Sequence, residues 1–191
     1  MLGGRIQPSK HSAVSSTGTI CTGVLFAGGF PQLGIAETEQ ETRYENEKFS
    51  FGLSYPSTWK KSTKPVRTHL EEVQFKKGGG TEIGIVVDPV KIESITEFGT
   101  AKEVAKRVVG VERAKDGVTS AKLIAASQTE KSGIPYYMIE YESSSSRGDK
   151  HFISKAGTLN VLLYLTAKTS KFLEDEAALR AGAESFEVSA L

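Results

Sequence analysis

The chain has 191 residues, 24 of them lysine or arginine and 23 aspartate or glutamate, and Cys21 is its single cysteine. Balanced charge excludes the broad basic field with which general nucleic-acid binders displace counterions. One cysteine excludes an internal disulfide and any site built from several thiolates.

Charge is distributed unevenly along the chain. All 23 acidic residues follow Ala36, while residues 1–36 carry Arg5, Lys10, His11 and seven serines or threonines. An acid-free, hydroxyl-rich start is the composition of an organelle transit peptide. The run Thr19 to Ala36 then reads as a second, secretory-type signal, with small Gly34 and Ala36 placed for a cut before Glu37. Its four glycines and Pro31 make it a poor bilayer-spanning helix. A cleaved bipartite targeting segment over 1–36 fits best, with a retained anchor or a disordered tail as alternatives. Lipid attachment at Cys21 is disfavoured, because the apolar run follows the cysteine instead of preceding it. Removal of this segment leaves 155 residues with 22 basic and 23 acidic side chains and no cysteine, the size of one domain.

Residues 37–47 are polar and charged, and we read them as a flexible lead-in to a domain over 48–191. Phe49, Phe51, Leu53 and Tyr55 alternate as one face of a half-buried strand ended by Pro56. Trp59 then plugs one end of the core. Two further strands, around residues 69–75 and 81–87, are joined through Gly78, Gly79 and Gly80 as a hairpin. A phosphate cradle at that triplet lacks the spacing and the following Lys-Ser or Lys-Thr. Thr100 and Glu103 form a capping box, and Ala101, Val104, Ala105 and Val108 make the apolar stripe of a first helix.

Four strands follow, at about 119–130, 134–143, 150–155 and 159–166, with turns short enough to require an antiparallel meander. Val161 to Leu165 has no polar alternation, which predicts a central strand covered on both faces. A last helix from about Lys171, N-capped by Ser170, carries Phe172, Leu179, Ala183 and Phe186 toward the sheet. The predicted class is α+β, an α/β/α sandwich with a central antiparallel sheet.

Catalytic chemistry has little material. Beyond His11 there are only His69 and His151. His69 sits on a strand beside Leu70, where a core or edge role outweighs ligation. Ser143 to Ser146 form a polar hairpin with no nucleophile elbow around them. Glu71-Glu72 and Glu174-Asp175-Glu176 lack the spaced oxygen ligands of a calcium loop and read as a solvated face and a helix start. The chain is therefore read as non-enzymatic.

Four stretches in order, FSFGLSYPSTWK, SITEFGTAKEVAKRV, GDKH before a strand, and the ending AESFEV, resemble the PsbP family of thylakoid-lumen proteins. The most specific is Ser94-Ile95-Thr96-Glu97-Phe98-Gly99 opening a helix after VVDPV. The resemblance runs from about Lys48 to Leu191. It implies an α/β/α sandwich, a bipartite chloroplast import signal to the lumen, and extrinsic attachment at the membrane periphery. It also implies that Gly148, Lys150 and His151 match a segment in which the lysine docks on acidic photosystem surface and the histidine is linked to docking or metal. From the residues alone, Lys150 and His151 read more often as a solvated strand end, and the resemblance makes docking an equal alternative.

Two departures are visible. Lys168 stands where the family can offer the histidine an acidic partner, which disfavours a metal ion there. The lead-in is also shorter than the arm with which the oxygen-evolving subunit retains calcium and chloride. The expected partner is the lumenal side of photosystem II, docked through Lys60, Lys61, Arg147, Lys150, His151 and Lys155, with calcium involved only through that complex. The alternatives are an assembly or repair factor for photosystem I, photosystem II or a thylakoid dehydrogenase complex, and a small-molecule-binding domain.

Overall fold

The computed structural model describes residues 40–63, 68–89, 94–157 and 161–189; the targeting segment expected over 1–36 lies outside them. Five strands come first: β1 (Glu41–Asn46), β2 (Phe51–Pro56), β3 (Lys60–Thr63), β4 (Glu71–Gly78) and β5 (Thr81–Val87). A 3₁₀ turn (Ile95–Phe98) leads into helix α1 (Ala101–Arg113). The meander β6 (Val118–Lys131), β7 (Ile134–Ser145), β8 (Lys150–Ala156) and β9 (Val161–Lys168) follows, then α2 (Thr169–Ser185) and β10 (Glu187–Val188). Seven strands pair antiparallel in the order β3-β4-β5-β9-β8-β7-β6, and β1-β2-β10 form a second, small sheet. Among the described residues, no helix is long and apolar enough to cross a membrane.

Side-chain alternation gives the large sheet two different faces. On the first, cross-strand partners Phe75, Ile83, Leu165 and Ile153 form a ladder at most 1% exposed. Leu163, Ile85 and Val73 continue it one row along. Phe51 and Leu53 of β2 and Phe172, Leu179 and Ala183 of α2 close over these rows as the main core. Each such side chain contributes about 1.5–3 kcal/mol by leaving water. Gly182 lets α2 come close, since a Cβ there would meet Ile83 Cδ1 at 2.9 Å.

The second face is covered only in part. The 3₁₀ turn and α1 lie over β6 and β7, with Ala105 and Val109 against Ala121, Ile139 and Tyr141. Both capping boxes form: Ser94 with Glu97, and Thr100 with Glu103. The expected α1 stripe is rotated, with Ala101, Ala105, Val109 and Glu112 buried and Val104 and Val108 at its margin. β9 is indeed central, but Leu162 is 38% exposed, so the expectation of cover on both faces is corrected: α1 stops short of it.

Three further expectations are corrected. Residues 41–46, read as lead-in, form β1, paired along its length with β2 from Glu41↔Pro56 to Asn46↔Phe51. Its sequence lacks apolar alternation because a backbone ladder holds it, helped by the Tyr44 ring set edge-on to Phe75 at 5.5 Å and by Arg43, which donates to Ser185 O at 3.1 Å and pairs with Glu187. Phe49 lies in the turn before β2, where its N–H donates to Asn46 Oδ1 at 3.1 Å. Helix α2 begins at Thr169 after Lys168 and has no side-chain cap, so Ser170 falls inside the first turn.

Gly84 on β5 leaves room for the Tyr164 ring, whose hydroxyl accepts from Gln74 Nε2 at 2.7 Å and donates to Glu72 Oε1 at 3.2 Å. A Cβ at Gly84 would stand 2.1 Å from Tyr164 Cζ. Gly84→Ala is expected to lower stability by about 1–2 kcal/mol in urea denaturation. The loss should largely vanish in a Tyr164→Ala background, the non-additivity expected of touching residues.

Candidate partner-binding site

The β7–β8 hairpin is built by Ser145 and Gly148. Ser145 Oγ accepts from Arg147 N–H at 3.2 Å and donates to Gly148 O at 3.0 Å, while Gly148 turns with φ of 105°. Lys150 opens β8 immediately afterwards. Because neighbouring residues on a strand point to opposite faces, Lys150 and His151 cannot share a surface. The structure separates them.

His151 lies on the first face, 5% exposed, its ring stacked on Phe172 at 3.5 Å. Nε2 is 2.7 Å from Glu140 Oε1 and Nδ1 3.3 Å from Glu142 Oε1. A doubly protonated ring donates to both carboxylates and a neutral ring to one. Arg180 on α2 forks onto Glu140 at 3.1 and 3.3 Å and reaches Glu176 through Nε at 2.7 Å. Burial pushes the Glu140 carboxyl up, but hydrogen bonds from Arg180 and His151, with their charges, outweigh it and hold the group below its ordinary value.

Lys155 points the same way, four residues along β8. Its Nζ donates to Ala183 O at 2.7 Å and Phe186 O at 3.1 Å, closing the C-terminal end of α2 where the helix dipole favours a cation. Burial is the main cause that holds this amine below the ordinary lysine value. His151 and Lys155 are therefore removed from the expected docking set: both fasten α2 to the sheet. The acidic partners of His151 come from β7, not from the position of Lys168, whose side lies on the other face.

The second face keeps the exposed cations. Lys60 stands opposite Lys76, and Lys150 opposite Lys168, in adjacent rows at one end of the sheet. Arg147 is exposed in the hairpin at that end. Lys76 has Glu82 at 3.5 Å, whereas Lys60, Arg147, Lys150 and Lys168 have no ion pair among the described residues. Lys61 belongs to the first face, its Nζ 4.3 Å above the Tyr44 ring. Sequence reasoning missed Lys168 and Lys76, which only strand register brings beside Lys150 and Lys60.

The expected acidic clusters do not fit a cation. Asp175 is 3% exposed and takes Lys77 Nζ and Thr81 Oγ1, each at 2.6 Å; Glu174 pairs with Lys171 and Glu176 with Arg180. Glu71 and Glu72 point to opposite faces as strand neighbours. His69 pairs with Asp88 at the other end of β4 and β5. Among the described residues, no group of three or more metal-ligating side chains gathers.

A family model described as PsbP matches residues 39–188. The chain belongs to the PsbP family. It is 32% identical over 144 residues to PsbP domain-containing protein 2, chloroplastic, of Arabidopsis thaliana, covering 74% of this chain and 61% of that protein. The chain thus spans less than two thirds of that relative's length. The solution structure of cyanobacterial PsbP from Synechocystis sp. PCC 6803 superposes with a TM-score of 0.62 at 19% identity, over 85% of this chain and 99% of the other, which shows the shared fold.

Two variants test the role assigned to the first face of this PsbP domain. Glu140→Gln is expected to cost about 2 kcal/mol, the scale of hydrogen bonds to charged groups. Because Glu140 titrates below its unfolded value of about 4.5, its contribution is present above that pH and is lost as pH falls through the lower folded value. The variant should therefore show a flatter acid limb in a stability-against-pH series. Lys155→Met should cost about 1–2 kcal/mol through the lost carbonyl bonds, read as a lower thermal midpoint, with no change in attachment to membranes.

Proposed function

We propose that this protein is a non-catalytic attachment protein of the chloroplast thylakoid lumen that docks on an acidic lumenal surface of photosystem II and stabilises it. The supporting observation is the pair of cross-strand lysine contacts, Lys60–Lys76 and Lys150–Lys168. Like charges directly opposite on a sheet are destabilising, so a fold under no other constraint would not set two such pairs in neighbouring rows of one face with a single carboxylate, Glu82 of β5, between them. An acidic partner relieves that repulsion. PsbP membership and the chloroplastic relative support a chloroplast compartment and a photosynthetic membrane complex as partner. Any influence on calcium or chloride is exerted through the complex: Asp175, Glu174 and Glu176 are taken by the domain's own lysines, arginine and threonine, and no three metal-ligating side chains gather among the described residues.

A second reading, an assembly or repair factor for a photosynthetic complex, is favoured by the match to a PsbP domain-containing protein. Cofractionation separates the two. Stoichiometric recovery with mature photosystem II supports the first, and recovery with assembly intermediates alone supports the second.

Single surface charge pairs contribute about 0–1 kcal/mol, so docking must sum several and weaken as salt rises. Lys150→Glu with Lys168→Glu should reduce affinity for photosystem II-rich membranes about tenfold, or about 1.4 kcal/mol. Lys150→Glu alone should raise folding stability by about 0.5 kcal/mol by ending the repulsion, while still weakening attachment. Retention that is unchanged by the variants and by a salt series would overturn this docking face.

A further inference from the structure

A groove of about 400 Å³ runs between α1 and the uncovered part of the second face. Its wall is the α1 flank with Val104, Val108 and Val111, Phe98 closes one end, and Tyr141 forms the floor, stacked on Phe152 at 4.7 Å. Val111 is 65% and Phe98 45% exposed, although both are apolar. Two such residues on one groove mark a contact surface more than a scatter of surface carbons.

Register ties this groove to the lysine rows. One row across the sheet reads Lys60, Lys76, Glu82, Thr166, Phe152, Tyr141, and Lys150 and Lys168 stand in the next row along. Within that row Thr166 is 4% exposed, and its Oγ1 has no partner among the described residues. The end of α1 nearest the lysines adds Lys115, paired with Glu112 at 2.6 Å, the one carboxylate of the groove. Arg107 lines the Phe98 end but is tied to Phe98 O, whereas Lys150 and Lys168 stand without an ion pair among the described residues beyond the Lys115 end, so the surface is more cationic there.

We propose that the groove seats an amphipathic helix of a protein partner, its apolar side chains against Val108, Val111 and Tyr141 and its acidic end on Lys150 and Lys168. This rests on the docking reading above and deepens it, by assigning the partner segment and its direction. Charge complementarity selects the occupant. A second copy would bring lysine rows toward lysine rows, and a flat bilayer would touch Val111 while leaving the 6%-exposed Tyr141 floor unfilled.

The test uses the full chain and a labelled synthetic helix of about fifteen residues, with leucines on one face and glutamates at one end, read by fluorescence anisotropy. Two control peptides carry the glutamates at the opposite end or serine in place of leucine. Val111→Asp, at an exposed site, should weaken binding about tenfold with the salt dependence kept, and Phe98→Ala should weaken it less. Lys150→Glu should weaken it and flatten the salt dependence. The peptide with displaced glutamates should bind about fivefold more weakly. Equal binding of that control, indifference to Val111→Asp, Val111-dependent binding to phosphatidylglycerol vesicles in place of the peptide, or a Val111-dependent dimer would each overturn the proposal. Should the photosystem II reading fail, membrane retention would ignore Lys150 and Lys168 while peptide binding kept both dependences.

Discussion

The attachment of α2 to the sheet depends on a chain of buried and half-buried polar contacts as well as on oil. Asp175 meets Lys77 and Thr81, Arg180 bridges Glu176 to Glu140, Glu140 meets His151, and Lys155 closes the last carbonyls. Each group was solvated in the unfolded chain, so part of the gain is returned as desolvation. What the contacts add is direction. Apolar burial is indifferent to a small slide or rotation, whereas three ties spaced along one helix, at Asp175, Arg180 and its last carbonyls, fix both. Loss of one partner is also asymmetric, because it strands a charge in a place made dry by Phe172.

Much of this architecture was legible from residue order. The meander, the glycine hairpin, both amphipathic helices and the central place of Val161 to Leu165 followed from periodicity and turn chemistry, which are local. β1 was not legible, since a strand held by backbone bonds needs no apolar alternation. The polar clamp was also hidden: Glu140, His151 and Arg180 are 40 residues apart at their extremes and meet only through register and helix packing. Alternation along β8 did hold a usable signal. His151 shares parity with Ile153, so an apolar neighbour two residues away already pointed it at the core.

The same parity divides labour within the family fold. One face of β8 gives His151, Ile153 and Lys155 to stability, and the other gives Lys150 and Phe152 to a surface that no element covers fully. A strand shared in this way lets the outward residues vary in charge without touching the clamp behind them.

Net charge constrains how such a surface can act. At +1 over the full chain and −1 over residues 37–191, the protein has little long-range field, and beyond a Debye length of about 8 Å the lysine rows are screened. Steering from a distance is therefore weak, and orientation must be settled at contact. Closely set lysines supply short-range repulsion that only opposed carboxylates remove, but a cluster of point charges is tolerant of rotation. The Val111 and Phe98 groove near them is not, since an apolar segment of the kind proposed would meet α1 on one flank and Tyr141 beneath. Charge selects the kind of surface, and shape then fixes its register.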